Sequence, residues 1–585
     1  MAKQVVKKST VKPTPKVAEI YVETDFFVRM EKFLEKNANR VFWGIFILSA
    51  LLVIGLFEMK IGLANDDALY IEGGVKYSKD FFGYFFTANA PLYPMLLGLF
   101  IAIFGSKLVV LKLISVVFFL LSLYWVYRAF RGRIPYTVLF GALFITATNS
   151  FFVMHASLTY TECFFAAVQA LFLWAFLKLT DVVETNHSIK ATWKNWLVFG
   201  LTILLAYMSR NVAIAIVFAV LAFFLVRKQW LNVLYALLVS AVFIMIWEAL
   251  KRTIWGEHAD QFGSQTNIMM RKSLFNPTDP NNTAETPWGF VVRFWQNTEI
   301  YFSARFWELL NFRPEASKPN TVLTLFTILL ILPGFVFAII RKNKAVLISF
   351  LYFSALCAVT FVALHTSWGQ ARLVMIYFPF IFITIFYGFW ELFRTKTLRG
   401  LKLLYIILLA VFLVPNLLLS LEKVPKNLPI LSKNIGGDEF YGYTTDWKNF
   451  FKASRWTARN LPEGSFVASR RAPMSFIYGD FKQFFPVYSV PSSDADTLMA
   501  NFKKNNVTHV ILAELRINPA RYTPNRYINT LHRYVVTIAT KYPQAFELIH
   551  TEGTQEKAEV YKIHYENATP AAAAQPQMIE GNIGG

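Results

Sequence analysis

Asp66 and Asp67 stand side by side in GLANDDALY, a few residues past a long apolar run. Two adjacent carboxylates at a hydrocarbon boundary repel each other and are partly desolvated, which raises the proton affinity of at least one and suits it to act as a general base toward a hydroxyl. A helix start accounts for the same residues, because Asn65-Asp66-Asp67 before ALYIEGGVKY also makes a good Asx turn or N-cap. Glu162, in LTYTECFFAAVQALFLWAF, falls at or just inside the end of another apolar run. A carboxylate so close to hydrocarbon is costly unless it meets a polar cavity or a partner, although TYTE also matches a capping box. Arg210 in YMSRNVAI and Arg372 in HTSWGQARLVMIYFPF each sit at the tip of a hairpin of apolar runs. The arginine fork suits a phosphate or pyrophosphate better than any other side chain does, with snorkelling to lipid phosphate as the alternative. His155 and His365 are lone histidines near the interface and receive no role. There is no Walker loop, dinucleotide glycine fingerprint, HExxH or GxSxG, so nucleotide hydrolysis, dinucleotide redox and serine-hydrolase chemistry have no support.

The elements that must position these residues are membrane spans. Of 585 residues 55% are hydrophobic and only 16% charged, far less charge than a soluble chain of this length carries. The apolar residues form long runs, as lipid-facing helices require when every backbone group is satisfied internally. The net charge of +21 sits largely in short loops between those runs, where Lys and Arg set topology and meet anionic head groups, so nucleic-acid binding is disfavoured. Cys163 and Cys357 fall inside apolar runs and read as small hydrophobes.

Residues 1 to about 22 read as a disordered, basic cytoplasmic tail, and FFVRMEKFLEKNANR up to Arg40 as an amphipathic interfacial helix with Phe26, Phe27, Met30, Phe33 and Leu34 on one side. Runs beginning near Val41, Lys107, Pro135, Tyr160, Trp196, Asn211, Leu231, Thr321, Ala345, Ala371 and Leu401 give about eleven spans. The basic segments Arg128–Arg133, Lys190–Lys194, Arg227–Lys228, Arg341–Lys344 and Arg394–Lys402 occupy alternate connections, which puts them on the cytoplasmic side with the tail. The first outer loop then holds a re-entrant or interfacial helix from Pro91 to Gly105, and the loop 251–320 an aromatic-anchored amphipathic helix. After about Leu421 helix and strand alternate: helix Trp447–Leu461, strand SFVASR, helix ADTLMANFKKNN, strand THVILAE, a helix near Asn525–Tyr542, and the hairpin FELIHTEG with AEVYKIH. The reading divides the chain into a tail and interfacial helix (1–40), a transmembrane domain (41–421), an outer α/β domain (422–566) and a disordered tail (567–585).

With these positions in hand the chain resembles the GT-C superfamily of membrane glycosyltransferases, in the bacterial group similar to glycosyltransferase family 39, which includes protein mannosyltransferases and the aminoarabinose transferase of lipid A. Asp66-Asp67-Ala68-Leu69-Tyr70 matches the family's first-loop motif and Ala90-Pro91-Leu92-Tyr93-Pro94 the helix start that follows it. Thr161-Glu162 matches a later acidic position, and Arg372-Leu373 with Phe378-Pro379 an arginine step before a proline-containing span. Many relatives place Asp-Lys where this chain has Asn89-Ala90. The resemblance implies a GT-C helical membrane fold with an outer α/β domain, on the outer face of a bacterial inner membrane. It implies inverting transfer of a sugar from a polyprenyl-phosphate donor to a hydroxyl acceptor, which is a lipid, glycan or protein, with Asp66 as the base and the phosphate near Arg372 and Arg210. Tyr70 and Tyr93 would line the substrate site, and Asp67 and Glu162 would orient the acceptor or, with Asp66, hold a divalent cation such as magnesium or manganese. A flippase of lipid-linked glycans and a membrane scaffold are the rival readings; a flippase should show internal repeats and spans broken near the midplane.

Overall fold

In the computed structural model, residues 26–63, 65–186, 188–259, 286–314, 317–394 and 403–567 are described. The expected tails at 1–22 and beyond 567, most of the 394–402 loop and the middle of the 251–320 loop lie outside them.

Every expected run has a helix. The first eleven helices are α1 (Phe26–Lys36), α2 (Ala38–Gly55), α3 (Asp66–Lys79), α4 (Leu92–Phe104), α5 (Leu108–Phe130), α6 (Tyr136–Thr148), α7 (Ser150–His155), α8 (Thr161–Val183), α9 (Ile189–Ser209), α10 (Ala215–Val226) and α11 (Trp230–Trp255). Further apolar helices run over Thr321–Ile340, Lys344–Ala363, Phe378–Arg394 and Leu403–Ile435. Seven of these are long and apolar enough to cross a membrane, and α4, α6 and Asn211–Val226 are shorter apolar helices. The chain is thus a multi-pass membrane protein.

α8 is the hub and α11 the periphery: 83% of the α8 span is buried in the protein against 17% of α11, which shows lipid-facing Leu, Val and Met instead. The hub's mid-span Gln169 is satisfied on both sides, donating to the Ile376 carbonyl at 2.7 Å and accepting from the Tyr352 hydroxyl at 3.0 Å. Gly334 and Gly388 allow two spans to touch backbone to backbone, since a Cβ at Gly334 would lie 2.1 Å from the Thr384 carbonyl oxygen.

The basic loops gather at one end of the bundle. Arg133 pairs with Asp181 at 2.5 Å, Lys344 with Asp181 at 2.5 Å and Glu184 at 3.1 Å, and Arg227 with Glu184 at 2.7 Å. At the same end α1 is amphipathic as expected, though with Phe27 buried and Phe26 and Phe33 exposed. Its Glu31 accepts hydrogen bonds from the Tyr136 and Thr137 amides, both at 2.8 Å, and so caps α6.

The connections expected on the other side meet at the opposite end. Glu58 donates its amide to Ser157, the Trp255 indole donates to the Phe81 carbonyl at 2.9 Å, and the helix Pro287–Glu299 turns Arg293 and Asn297 inward while exposing Trp288, Val291 and Trp295. The Leu403–Ile435 helix passes unbroken through the expected boundary at 421 despite Pro415, Pro425 and Pro429. Beyond that boundary Asn427 donates to the Gly55 and Phe57 carbonyls, which fastens the extension to the end of α2.

The C-terminal domain carries a five-stranded sheet in the order β2-β1-β3-β5-β4, with β1 Val467–Ser469, β2 Phe484–Pro486, β3 His509–Ala513, β4 Phe546–Glu552 and β5 Ala558–Ile563. β1 is parallel to β2 and β3, while β5 is antiparallel to β3 and β4, forming the expected hairpin. The helices Thr445–Asn460 and Ala495–Lys504 are where the pattern put them, and the third, Thr530–Lys541, begins after the expected start near Asn525. Two elements went unforeseen, β2 and the helix Ala472–Tyr478, and that helix is the one that packs on α3.

Candidate active site

Asp66 and Asp67 open the first turn of α3, so the helix-start account holds, although Asn65 makes no side-chain cap. Successive residues on a helix point about 100° apart, and the two carboxylates diverge accordingly. They do not act as a repelling pair.

Asp67 is fully buried, 3.2 Å from the Lys112 ammonium, which is equally buried near the N-terminal end of α5. It also accepts from the Gly62 and Thr159 amides at 2.7 Å, and Lys112 donates to the Ser157 carbonyl at 2.9 Å. Every polar atom of this pair is engaged inside the protein, so Asp67 braces the first loop against α5. Asp67, expected to orient the acceptor or a cation, faces Lys112 and the loop amides in this arrangement.

Asp66 keeps a third of its side chain exposed and meets Arg372 at 2.5 Å. Arg372 is further fixed by Gln370 at 2.7 Å and lies over the Tyr160 ring, 5.1 Å from its centre. Burial pulls its proton affinity down, but the charges of Glu162 and Asp66 outweigh that and hold its pKa above the ordinary arginine value.

Glu162 lies in the first turn of α8, 2% exposed, and its partner is Arg210 at 3.2 Å from the end of α9. Tyr160 at the N-cap makes no side-chain cap hydrogen bond, so the capping-box account of TYTE is not realised. Tyr70 points to the same place: burial first, then the charges of Asp66 and Glu162, push its hydroxyl up to about 12, and it accepts from Asn89 at 3.1 Å. A phenol held so firmly protonated is a hydrogen-bond donor. Tyr93 is fully buried, its hydroxyl 2.6 Å from Ser115 and its ring edge-on to Tyr70 at 5.9 Å. It backs Tyr70, and this residue expected at the substrate site is enclosed in the present arrangement.

The end of the bundle therefore brings together Asp66, Arg372, Glu162, Arg210 and Tyr70. Sequence reasoning missed three neighbours. Lys112 had a readable signal, a charge in the middle of the apolar run VVLKLISVV. His155 was passed over as a lone histidine; its Nδ1 lies 2.8 Å from the Phe151 carbonyl, and burial lowers its pKa although Glu162 opposes this. Tyr160, under Arg372, had no distinguishing signal. Among the described residues no group of three or more His, Cys, Asp or Glu side chains gathers as a metal site. Asp66, Asp67 and Glu162 each face a separate cation, and that donor set does not fit a shared divalent ion.

Residues 88–250 match the family of dolichyl-phosphate-mannose-protein mannosyltransferases. No curated protein sequence matches at a significant level. Among solved structures the chain is similar to the oligosaccharyltransferase of Archaeoglobus fulgidus in its apo form, at 14% identity and a TM-score of 0.53 over 88% of this chain and 80% of that one. The same organism's oligosaccharyltransferase AglB, in complex with an inhibitory peptide and a dolichol-phosphate, gives a TM-score of 0.50 at 14% identity over 81% of this chain and 69% of that one. ArnT from Cupriavidus metallidurans bound to undecaprenyl phosphate covers 90% of this chain and 98% of its own at 12% identity and a TM-score of 0.49. The architecture shared with the oligosaccharyltransferases is the GT-C fold.

Proposed function

We propose that this chain, built on the GT-C fold and similar to glycosyltransferase family 39, is an inverting glycosyltransferase that moves a sugar from a polyprenyl-phosphate donor to a hydroxyl acceptor of the cell envelope. The observation that carries the reading is the meeting of a part-exposed carboxylate, Asp66, with Arg372 beside the second pair Glu162 and Arg210, where spans end and the C-terminal domain begins. The dolichol-phosphate held by one structural neighbour supports a lipid-phosphate donor. The cluster of Arg133, Arg227 and Lys344 at the far end supports a cytoplasmic location for that end, and with it an outward-facing site on a bacterial inner membrane.

In this mechanism the acceptor oxygen attacks the anomeric carbon while its proton passes to the Asp66 carboxylate. The bond from that carbon to the phosphate oxygen breaks, and its electron pair leaves with the polyprenyl phosphate. Arg372 holds Asp66 in place, and Tyr70 offers a hydrogen bond to the sugar or acceptor. Binding both substrates at one site removes much of the translational cost of their encounter. Purified protein given a polyprenyl-phosphate sugar and envelope acceptors should transfer the sugar with inversion, read from the anomeric proton coupling of donor and product. Retention of configuration would remove the direct-displacement mechanism.

A further inference from the structure

The charges at the membrane end of the site cancel in pairs. Arg372 neutralises Asp66, Arg210 neutralises Glu162, Lys112 neutralises Asp67, and Lys60 is taken by Glu58. A phosphate arriving there must displace a carboxylate from its cation.

Two cations of the C-terminal domain are not committed in this way. Arg470 and Arg471 follow β1 and lead into the Ala472–Tyr478 helix, which packs on α3, the helix that Asp66 opens. The loop is held in place from below, since the Tyr443 hydroxyl donates to the Ile61 carbonyl at 2.6 Å and meets the Tyr478 hydroxyl at 2.9 Å. Neither arginine has an ion-pair partner among the described residues, and the Nε of each is buried without a hydrogen-bond acceptor. The Arg470 guanidinium lies over the Tyr488 ring, 5.6 Å from its centre. Arg471 is within electrostatic reach of Asp66. Burial lowers the pKa of both, and for Arg470 the adjacent Arg471 charge lowers it further. Two desolvated, neighbouring positive charges without a counter-ion are costly until an anion joins them.

We infer that Arg470 and Arg471 form a phosphate clamp, lowered from the C-terminal domain onto the mouth of the site, that grips the phosphate of a membrane-embedded polyprenyl ligand. The inference rests on the lipid-phosphate transferase reading and deepens it: Arg372 positions Asp66, and the donor's charge is met from above by two guanidinium forks of the geometry phosphate oxygens favour.

The test is binding of undecaprenyl phosphate to the full-length protein in lipid nanodiscs, with undecaprenol and inorganic phosphate as comparison ligands and the variants Arg470→Gln, Arg471→Gln and Arg471→Lys. Each glutamine variant should bind undecaprenyl phosphate at least tenfold more weakly, with the lysine variant between them and wild type. Undecaprenol binding should be unchanged and the unfolding temperature should not fall, because each substitution removes a desolvated charge that holds no ion pair. Affinity unchanged in both glutamine variants overturns the clamp while leaving the transferase reading intact. Inorganic phosphate binding as tightly as the lipid overturns the membrane-embedded source, and a wild-type protein that ignores undecaprenyl phosphate overturns the transferase reading itself.

Discussion

At the scale of single residues, burial separates two neighbouring carboxylates into different jobs. Asp67 and Lys112 are both fully buried and satisfied, so removing one partner strands the other. Lys112→Ala should cost about 3–5 kcal/mol, whereas Lys112→Met combined with Asp67→Leu should recover much of that, both measured by thermal unfolding in detergent. Asp66 is different, being part exposed and at the site. Asp66→Asn should leave the unfolding temperature close to wild type yet lower the transfer rate by about 100-fold or more, the usual contribution of a general base. Asp66, Glu162, Arg210 and Arg372 could be singled out from the sequence because charges at the ends of apolar runs are rare and expensive. Their pairing was not, since Asp66 and Arg372 lie 306 positions apart and nothing local to either names the other.

The elements were legible where they are long and apolar. Helices follow the expected starts from Val41 to Leu401, because a run that must satisfy its own backbone in hydrocarbon has no other regular choice. Their ends were less so. α9 begins at Ile189, seven positions before the expected Trp196, as Lys190, Trp193 and Lys194 extend it into the interface. The span expected from Ala371 begins at Phe378, where Pro379 is favoured in a first turn, and Arg372–Met375 forms a turn of its own. The Ala472–Tyr478 helix has 7 residues, too few to show a period, and it was missed for that reason. The cap that α1 supplies to α6 invites a direct check. Glu31→Ala should destabilise the protein by about 1–2 kcal/mol, seen as a lower unfolding temperature, while the rate per folded molecule stays unchanged.

For the whole molecule, the consequential feature is polarity along the bundle axis: basic loops locked by Asp181 and Glu184 at one end, the paired charges and the α/β domain at the other. The native cysteines Cys163 and Cys357 are buried, so introduced thiols report cleanly. In sealed spheroplasts Tyr488→Cys should react with a membrane-impermeant maleimide and Arg131→Cys should not; the reverse pattern would turn the site toward the cytosol. The claim on which everything else depends is that Asp66 takes a proton while a polyprenyl phosphate departs. The most direct measurement is the single-turnover release of polyprenyl phosphate from its sugar by purified wild-type protein beside Asp66→Asn protein of equal unfolding temperature. The account predicts rapid release by wild type and almost none by the variant; equal release by both, or none by wild type with its acceptor present, would contradict it.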